Sequence, residues 1–371
     1  MLKKWSTKEK IFFVFGFYFL LTLMPLVKEI LKLNQKRSDE FCTPAAHDAR
    51  TLYASQHPTN ILVFKCMDGR IHLPLITGIP LGILHPFRNI GGKFTLGYPY
   101  LGRLVLDAKD TAIREGHHTL ALCTYHFSKG SEHRGCAGHS YDTEAARQGA
   151  QSLKHEFETI FGSDNPAISA IVVGVETDEN SLIFCNGKKS GDFSIADHLN
   201  DTDEAIAHGL HTLYPRMQKE VLADILPLAI GNRDHVAHLR KQGRPVAELV
   251  HGENIICVGR GFDWLHLPNR ALIIGPYGDA ERTWRDAIKV AGGIVLDNFK
   301  QKRVPREQGA LLLVSAPYSD MNERGLALAK VGYFSTVAKK VLEPVAKKLR
   351  LEILVGVTDM ETMKFHPLPK Y

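Results

Sequence analysis

The chain has 371 residues, 44% of them hydrophobic and 23% charged, with a formal net charge of +6. These are the proportions of an ordinary globular protein, and the length sets a prior of two domains. Residues 1–40 carry eight basic side chains against four acidic ones. Most of the excess charge is therefore local to that stretch, and the near-neutral remainder argues against nucleic acid as a partner. Six cysteines (42, 66, 123, 136, 185 and 257) are too few for a dense disulfide framework in a chain this long.

Residues 1–10 are basic, and Ile11 to Val27 is a run of 17 residues without a charge. That run sits at the short edge of what spans a bilayer. It reads as an N-terminal hydrophobic helix, a single-pass anchor through residues 11–27, with the extracytoplasmic side favoured for the rest. A cleaved signal peptide and an apolar helix docked on a partner are the alternatives. Lys28-Glu29 directly follows, so a small-residue cleavage site is missing there. Residues 28–50 read as a polar, partly helical linker.

Ile61 to Phe64 reads as a buried parallel strand, apolar on both faces. It ends in Cys66-Met-Asp68-Gly-Arg70. Open α/β sheets place their chemistry at this end of a strand. Asp68 and Arg70 are two apart, so in extended chain they point the same way and can pair. His72 to Gly97 is rich in Pro and Gly and reads as a loop around a site. Tyr100 to Gly116 reads as a helix, and Thr119 to His126 as a second apolar strand ending in histidine. Then come His133, Cys136 and His139 in a polar stretch. A helix over 143–161 and a strand over 170–175 follow. The alternation predicts an α/β fold with a parallel sheet. Residues 1–50 form the N-terminal segment, 51–200 the first domain, and 201–253 a polar helical connector.

Residues 254–371 look like a second copy. Asn254 to Pro268 lies on Asn60 to Pro74 without gaps, Ala310 to Ala327 on Leu120 to Ala137, and Val355 to Asp359 resembles Val173 to Asp178. Three matches in one order point to duplication. Arg260, Phe262 and Trp264 then stand at the positions of Cys66, Asp68 and Arg70, with Ala316 at His126 and Leu326 at Cys136. Gly259-Arg-Gly261 lacks the third glycine of a dinucleotide fingerprint.

Cysteine sulfur and histidine nitrogen suit zinc, and three protein ligands with one open position mark a catalytic site. Cys66, Cys136 and one histidine supply three. Cys-x-Asp-x-Arg, a later His and Cys, and Arg88-Asn89-Ile90-Gly91-Gly92 between them resemble the β-class carbonic anhydrases. The histidine about ten residues before the cysteine is similar to the divergent carboxysome-shell branch of that family. The resemblance is firm over residues 60–140 and implies two carbonic-anhydrase-like parallel-sheet domains forming an internal pseudo-dimer, the second without zinc ligands. It implies Zn2+ held by Cys66, His126 and Cys136, with His133 as the alternative to His126, and interconversion of carbon dioxide and bicarbonate. Asp68, oriented by Arg70, would aim the hydroxide that the metal generates. His72, His117, His118, His133 and His139 are the candidate proton shuttles, and a homodimer is an open expectation. A hydrolase of carbonyl sulfide or carbon disulfide is the nearest alternative, and a zinc-stabilised scaffold without activity is the other.

Overall fold

The computed structural model describes residues 25–163, 167–187, 191–245, 248–277 and 283–369. Two mainly parallel sheets, each covered by helices, make an α/β architecture. The first sheet contains β1 (Asn60–Cys66), β2 (His85–Asn89), β3 (Thr119–Phe127), β4 (Ile168–Glu176), β5 (Ser181–Cys185) and β6 (Phe193–Ser194). Its order is β2-β1-β3-β4-β5-β6. The second contains β7 (Ile255–Gly259), β8 (Ala271–Ile274), β9 (Ala310–Tyr318), β10 (Leu351–Asp359) and β11 (Lys364–Pro367), in the order β11-β10-β9-β7-β8. Read from β2 or from β8, the first five strands follow one connectivity. In each sheet four are parallel and the fifth is antiparallel.

β1 is apolar at four successive positions because both faces are covered, and Ile61 to Cys66 are all buried. Phe64 stacks on Phe87 of β2 with centroids 4.8 Å apart. The stretch 72–97 is therefore more than a loop. It contributes the edge strand β2 and the short helix Leu73–Thr77. The helix Thr143–Phe161 starts where Asp142 accepts the Ala145 amide at 3.0 Å, a side-chain N-cap.

The connector is not merely a polar tether. The helix Lys219–Gln242 buries Val221, Ile225, Leu228 and Val236 in the same core as the first sheet. Asn232 is fully buried; it accepts the Leu182 amide and donates to the carbonyls of Ile76 and Asn180.

The expected membrane-spanning helix over 11–27 needs correction. Residues 11–24 lie outside the described residues, but the end of the run does not. Pro25 opens the helix α1 (Pro25–Phe41), in which Leu26, Val27 and Ile30 are buried in one cluster with Trp264, Leu311 and Phe365 of the second half. Asn34 seals the contact, donating to the Met363 carbonyl and accepting the Phe365 amide. These apolar residues are used inside the protein. Among the described residues, no helix is long and apolar enough to cross a membrane.

Register also corrects the comparison of the halves. β3 and β9 have the same length, and Tyr318 ends β9 as Phe127 ends β3. Pro317, not Ala316, therefore stands at the position of His126. Residues 128–142 link β3 to its helix, whereas residues 319–323 link β9 to the helix Arg324–Ala346. The second half thus lacks the loop that carries Cys136, and Leu326 lies on the helix beyond it.

The two sheets meet edge to edge beside the end of β1. The Ile273 amide donates to the Met67 carbonyl at 2.8 Å and the Gly275 amide to the Arg88 carbonyl at 2.8 Å. Asp68 bridges to Leu272. Gly69 makes this possible, because a Cβ there would lie 2.5 Å from the Ala271 carbonyl oxygen. Gly69→Ala should destabilise the chain by about 1–3 kcal/mol, the usual cost of overpacking, read as a lower urea midpoint.

Candidate metal centre

Three strand or loop ends converge on one point. Cys66 closes β1, His126 lies one residue from the end of β3, and Cys136 sits in the loop beyond it. Their ligand atoms lie within 4.8 Å of one another, and all three residues are buried. The two sulfurs are 3.9 Å apart, far longer than a disulfide of about 2.05 Å. Two Zn–S bonds of about 2.3 Å at a tetrahedral angle put sulfurs about 3.8 Å apart, so the spacing suits a shared ion. Both ring nitrogens of His126 are buried without a hydrogen-bond partner. Leaving such a group unsatisfied costs about 1–3 kcal/mol, which a cation at this point would offset. The donor set therefore fits zinc. A hydrogen bond from Cys136 draws the Cys66 thiol well below its ordinary range against the opposing effect of burial, with His126 adding to the pull.

His133 does not join this group. Its ring packs edge-on against Tyr141 with centroids 5.6 Å apart, in the cavity wall.

The Cys136 loop is held from several sides. Arg70 donates through Nη2 to the Arg134 carbonyl at 2.7 Å. Asp178, just past β4, accepts the Ser128 hydroxyl at 2.8 Å and the Gly130 amide at 2.7 Å, and pairs with Arg134 at 3.4 Å. Glu176 accepts the Lys129 amide. On the other flank, a Cβ at Gly138 would lie 2.5 Å from the backbone of Gly91. That close approach, with Gly91 at φ +63°, explains the paired glycines after Asn89. His139 Nε2 lies 2.9 Å from the Gly91 carbonyl.

Asp68 and Arg70 form the expected fork. Arg70 Nη2 donates to Asp68 Oδ2 at 2.6 Å, and Nε reaches both carboxylate oxygens at 3.1 Å. Burial pushes the Asp68 carboxyl up, but the Arg70 guanidinium overcomes it and holds the group well below the usual carboxylate range. Asp68 Oδ2 lies 4.0 Å from His126 Nδ1. Arg88 fastens the turn below, donating to the carbonyls of Asp68 and Ile71.

A cavity of about 710 Å³ opens over Cys66, Asp68 and His126. The second half builds its far wall with Leu272, Ile294, Asp297 and Arg303. Sequence reasoning missed two further wall residues, His251 and Glu253. His251 Nδ1 lies 2.6 Å from Glu253 Oε1, and its Nε2 is buried without a partner. Glu253 is 1% exposed and accepts a hydrogen bond from Asn298, which in turn accepts from Arg303. His251-Gly-Glu253 directly precedes the second strand set, and that position was the only available signal. Of the five expected shuttle histidines, only His133 lines this cavity. His72 caps the helix Leu73–Thr77 and its Nε2 lies 3.2 Å from the Asp263 carbonyl. His117 and His118 lie at the opposite end of β3.

This parallel-sheet fold, with a Cys-His-Cys cluster at the strand ends and an Asp-Arg fork beside it, resembles the β class of carbonic anhydrases. Comparison narrows the resemblance to the divergent carboxysome-shell branch. The family model described as "Carboxysome Shell Carbonic Anhydrase, catalytic domain" matches residues 104–233. That range includes His126 and Cys136 but begins after Cys66, Asp68 and Arg70. A protein of Hydrogenovibrio crunogenus named carboxysome shell carbonic anhydrase is 23% identical over 242 residues, covering 56% of this chain and 45% of the relative. One of the same name from Prochlorococcus marinus is 27% identical over 170 residues, covering 40% and 33%. The chain thus spans less than half the length of these curated relatives. Both are named as shell proteins, which also runs against the membrane-anchored placement expected for this chain.

The close contact of Gly138 with Gly91 yields a test. Gly138→Ala should displace the Cys136 loop and lower the bound zinc from about one ion per chain, measured by elemental analysis beside a far-ultraviolet spectrum showing an intact fold. Full zinc content in that variant would contradict the role given to this contact.

Proposed function

We propose that the chain is a zinc-dependent carbonic anhydrase, a lyase that interconverts carbon dioxide and bicarbonate. The observation that carries this reading is the buried Cys66-His126-Cys136 cluster facing a cavity shared with the Asp68–Arg70 fork. Cys66, His126 and Cys136 would hold zinc, which supplies the Lewis acidity that makes water a nucleophile near neutral pH. Asp68 accepts a hydrogen bond from the attacking oxygen and aims its lone pair at the carbon. Arg70 keeps Asp68 ionised and fixes its plane through the fork. The proton released by water needs an exit. His251 lines the cavity, its Nδ1 lies 2.6 Å from Glu253 Oε1, and it is the residue placed to carry that proton away. Apolar Leu272 and Ile294 on the far wall suit an uncharged substrate.

The shared strand order, with four parallel strands and an antiparallel fifth, supports reading the halves as an internal pseudo-dimer derived by duplication. Residues 51–200 would be the catalytic unit and 254–371 its partner without zinc ligands. Hydrolysis of carbonyl sulfide or carbon disulfide would use the same cluster, and a parallel sulfide-release assay separates the two. A zinc-stabilised scaffold is the remaining alternative.

Two variants test the proposal. Asp68→Asn should retain zinc while carbon dioxide hydration, followed by stopped flow, falls by about 100-fold. Unchanged turnover with zinc bound would favour the scaffold. His251→Ala should lower kcat by at least ~10-fold in weak buffer while leaving kcat/KM nearly unchanged, and imidazole should restore it. A loss that imidazole does not rescue would remove His251 from the proton path.

A further inference from the structure

The second half keeps a cavity where the first half has its metal centre, and that cavity holds an arginine at the cysteine position. Strand register sets the correspondence. Leu62 pairs with His85, and its counterpart Ile256 pairs with Leu272. His85 is therefore the mate of Leu272, as Arg260 is of Cys66 and Pro317 of His126. Cys66, His126 and Leu272 line the metal-centre cavity. Arg260, Pro317 and His85 line a separate one of about 500 Å³. The two cavities thus lie at corresponding strand positions of the two sheets.

Their chemistry is opposite. The second cavity has no thiol in its wall, and Arg50, Arg260 and Lys330 bring three cations to it. Among the described residues, none of the three forms an ion pair with a carboxylate. Arg50 lies over the Phe41 ring at 3.6 Å and donates to the Phe41 carbonyl. Arg260 lies 5.8 Å from the Phe87 ring centroid. The buried carboxylate that acts on Arg260, Asp263, is shared with Lys65 and Arg88, both buried themselves. Glu323 on the rim is engaged by the Ser319 amide at 3.0 Å. Positive charge is therefore in excess. Arg260 is partly buried, bonds to Tyr100 and shares Asp263 with two other buried cations, so its guanidinium is left with positive charge that an anion would offset. The planar fork of arginine suits two oxygens of one oxyanion, and lysine adds a point charge.

We propose that this cavity is an oxyanion site that takes a small molecule bearing a phosphate or carboxylate group, with Arg260 as its main donor and Lys330 as a second charge. The cavity is larger than bicarbonate needs, so an organic anion fits it. The site needs no metal and does not depend on the reaction assigned to the first half.

Calorimetric titration of the full chain with inorganic phosphate, at ionic strength held constant with chloride, tests this. One saturable site is expected. Arg260→Gln should weaken it by about 10-fold or more, in line with loss of a charge-assisted hydrogen bond. Lys330→Gln should weaken it too, and decides the matter if Arg260→Gln does not fold. Cys136→Ala, which disables only the metal centre, should leave it intact. Absence of a saturable site, unchanged affinity in Lys330→Gln, or loss of binding in Cys136→Ala would each overturn the proposal.

Discussion

One buried guanidinium ties the site together. Arg70 forks onto Asp68, and with the same Nη2 it holds the Arg134 carbonyl in the loop that carries Cys136. A charge so deeply buried is tolerable only when paired and hydrogen-bonded. The pairing that satisfies this requirement also fixes the loop that carries Cys136 and the ionisation of the carboxylate beside it. Positioning of the sulfur and orientation of the acid are therefore coupled, and neither can be adjusted alone.

The second half contributes to the site although it lacks the ligands. Its edge strand β8 bonds to the backbone just past Cys66, and its helix Thr283–Lys300 supplies part of the cavity wall. The His251–Glu253 pair lies where the connector enters that half, and Asn298 and Arg303 brace it. The asymmetry is one of loop length as much as of residue type. With only residues 319–323 after β9, the second half has no loop to match the one that carries Cys136.

Much of the front half was legible because a strand converts sequence into geometry. Alternation in an extended chain puts Asp68 and Arg70 on one side, and an apolar run shows where β1 and β3 end. That is why Cys66 and His126 could each be placed at the end of a strand from the sequence. The edge strand β2 was not legible, since three prolines nearby made the stretch look like loop. Gapless alignment put Ala316 opposite His126; hydrogen-bond register moved the match to Pro317, because apolar runs slide by one residue without penalty in sequence. The apolar run ending at Val27 misled for a related reason. Hydrophobicity says that a segment avoids water, not whether lipid or protein covers it, and here Leu26, Val27 and Ile30 are covered by the second half. His251 and Glu253 were invisible because nothing in one dimension reports that an edge-to-edge sheet contact brings the connector's end over Asp68.

The seam at Met67 and Ile273 joins two halves of a single polypeptide. In an assembly of identical subunits, every substitution appears on both sides of the axis at once, so neither copy can change its chemistry alone. Covalent linkage removes that restriction. A residue such as Arg260 can be selected on its own merits while Cys66 stays as it is, and the two sheets still share their strand order.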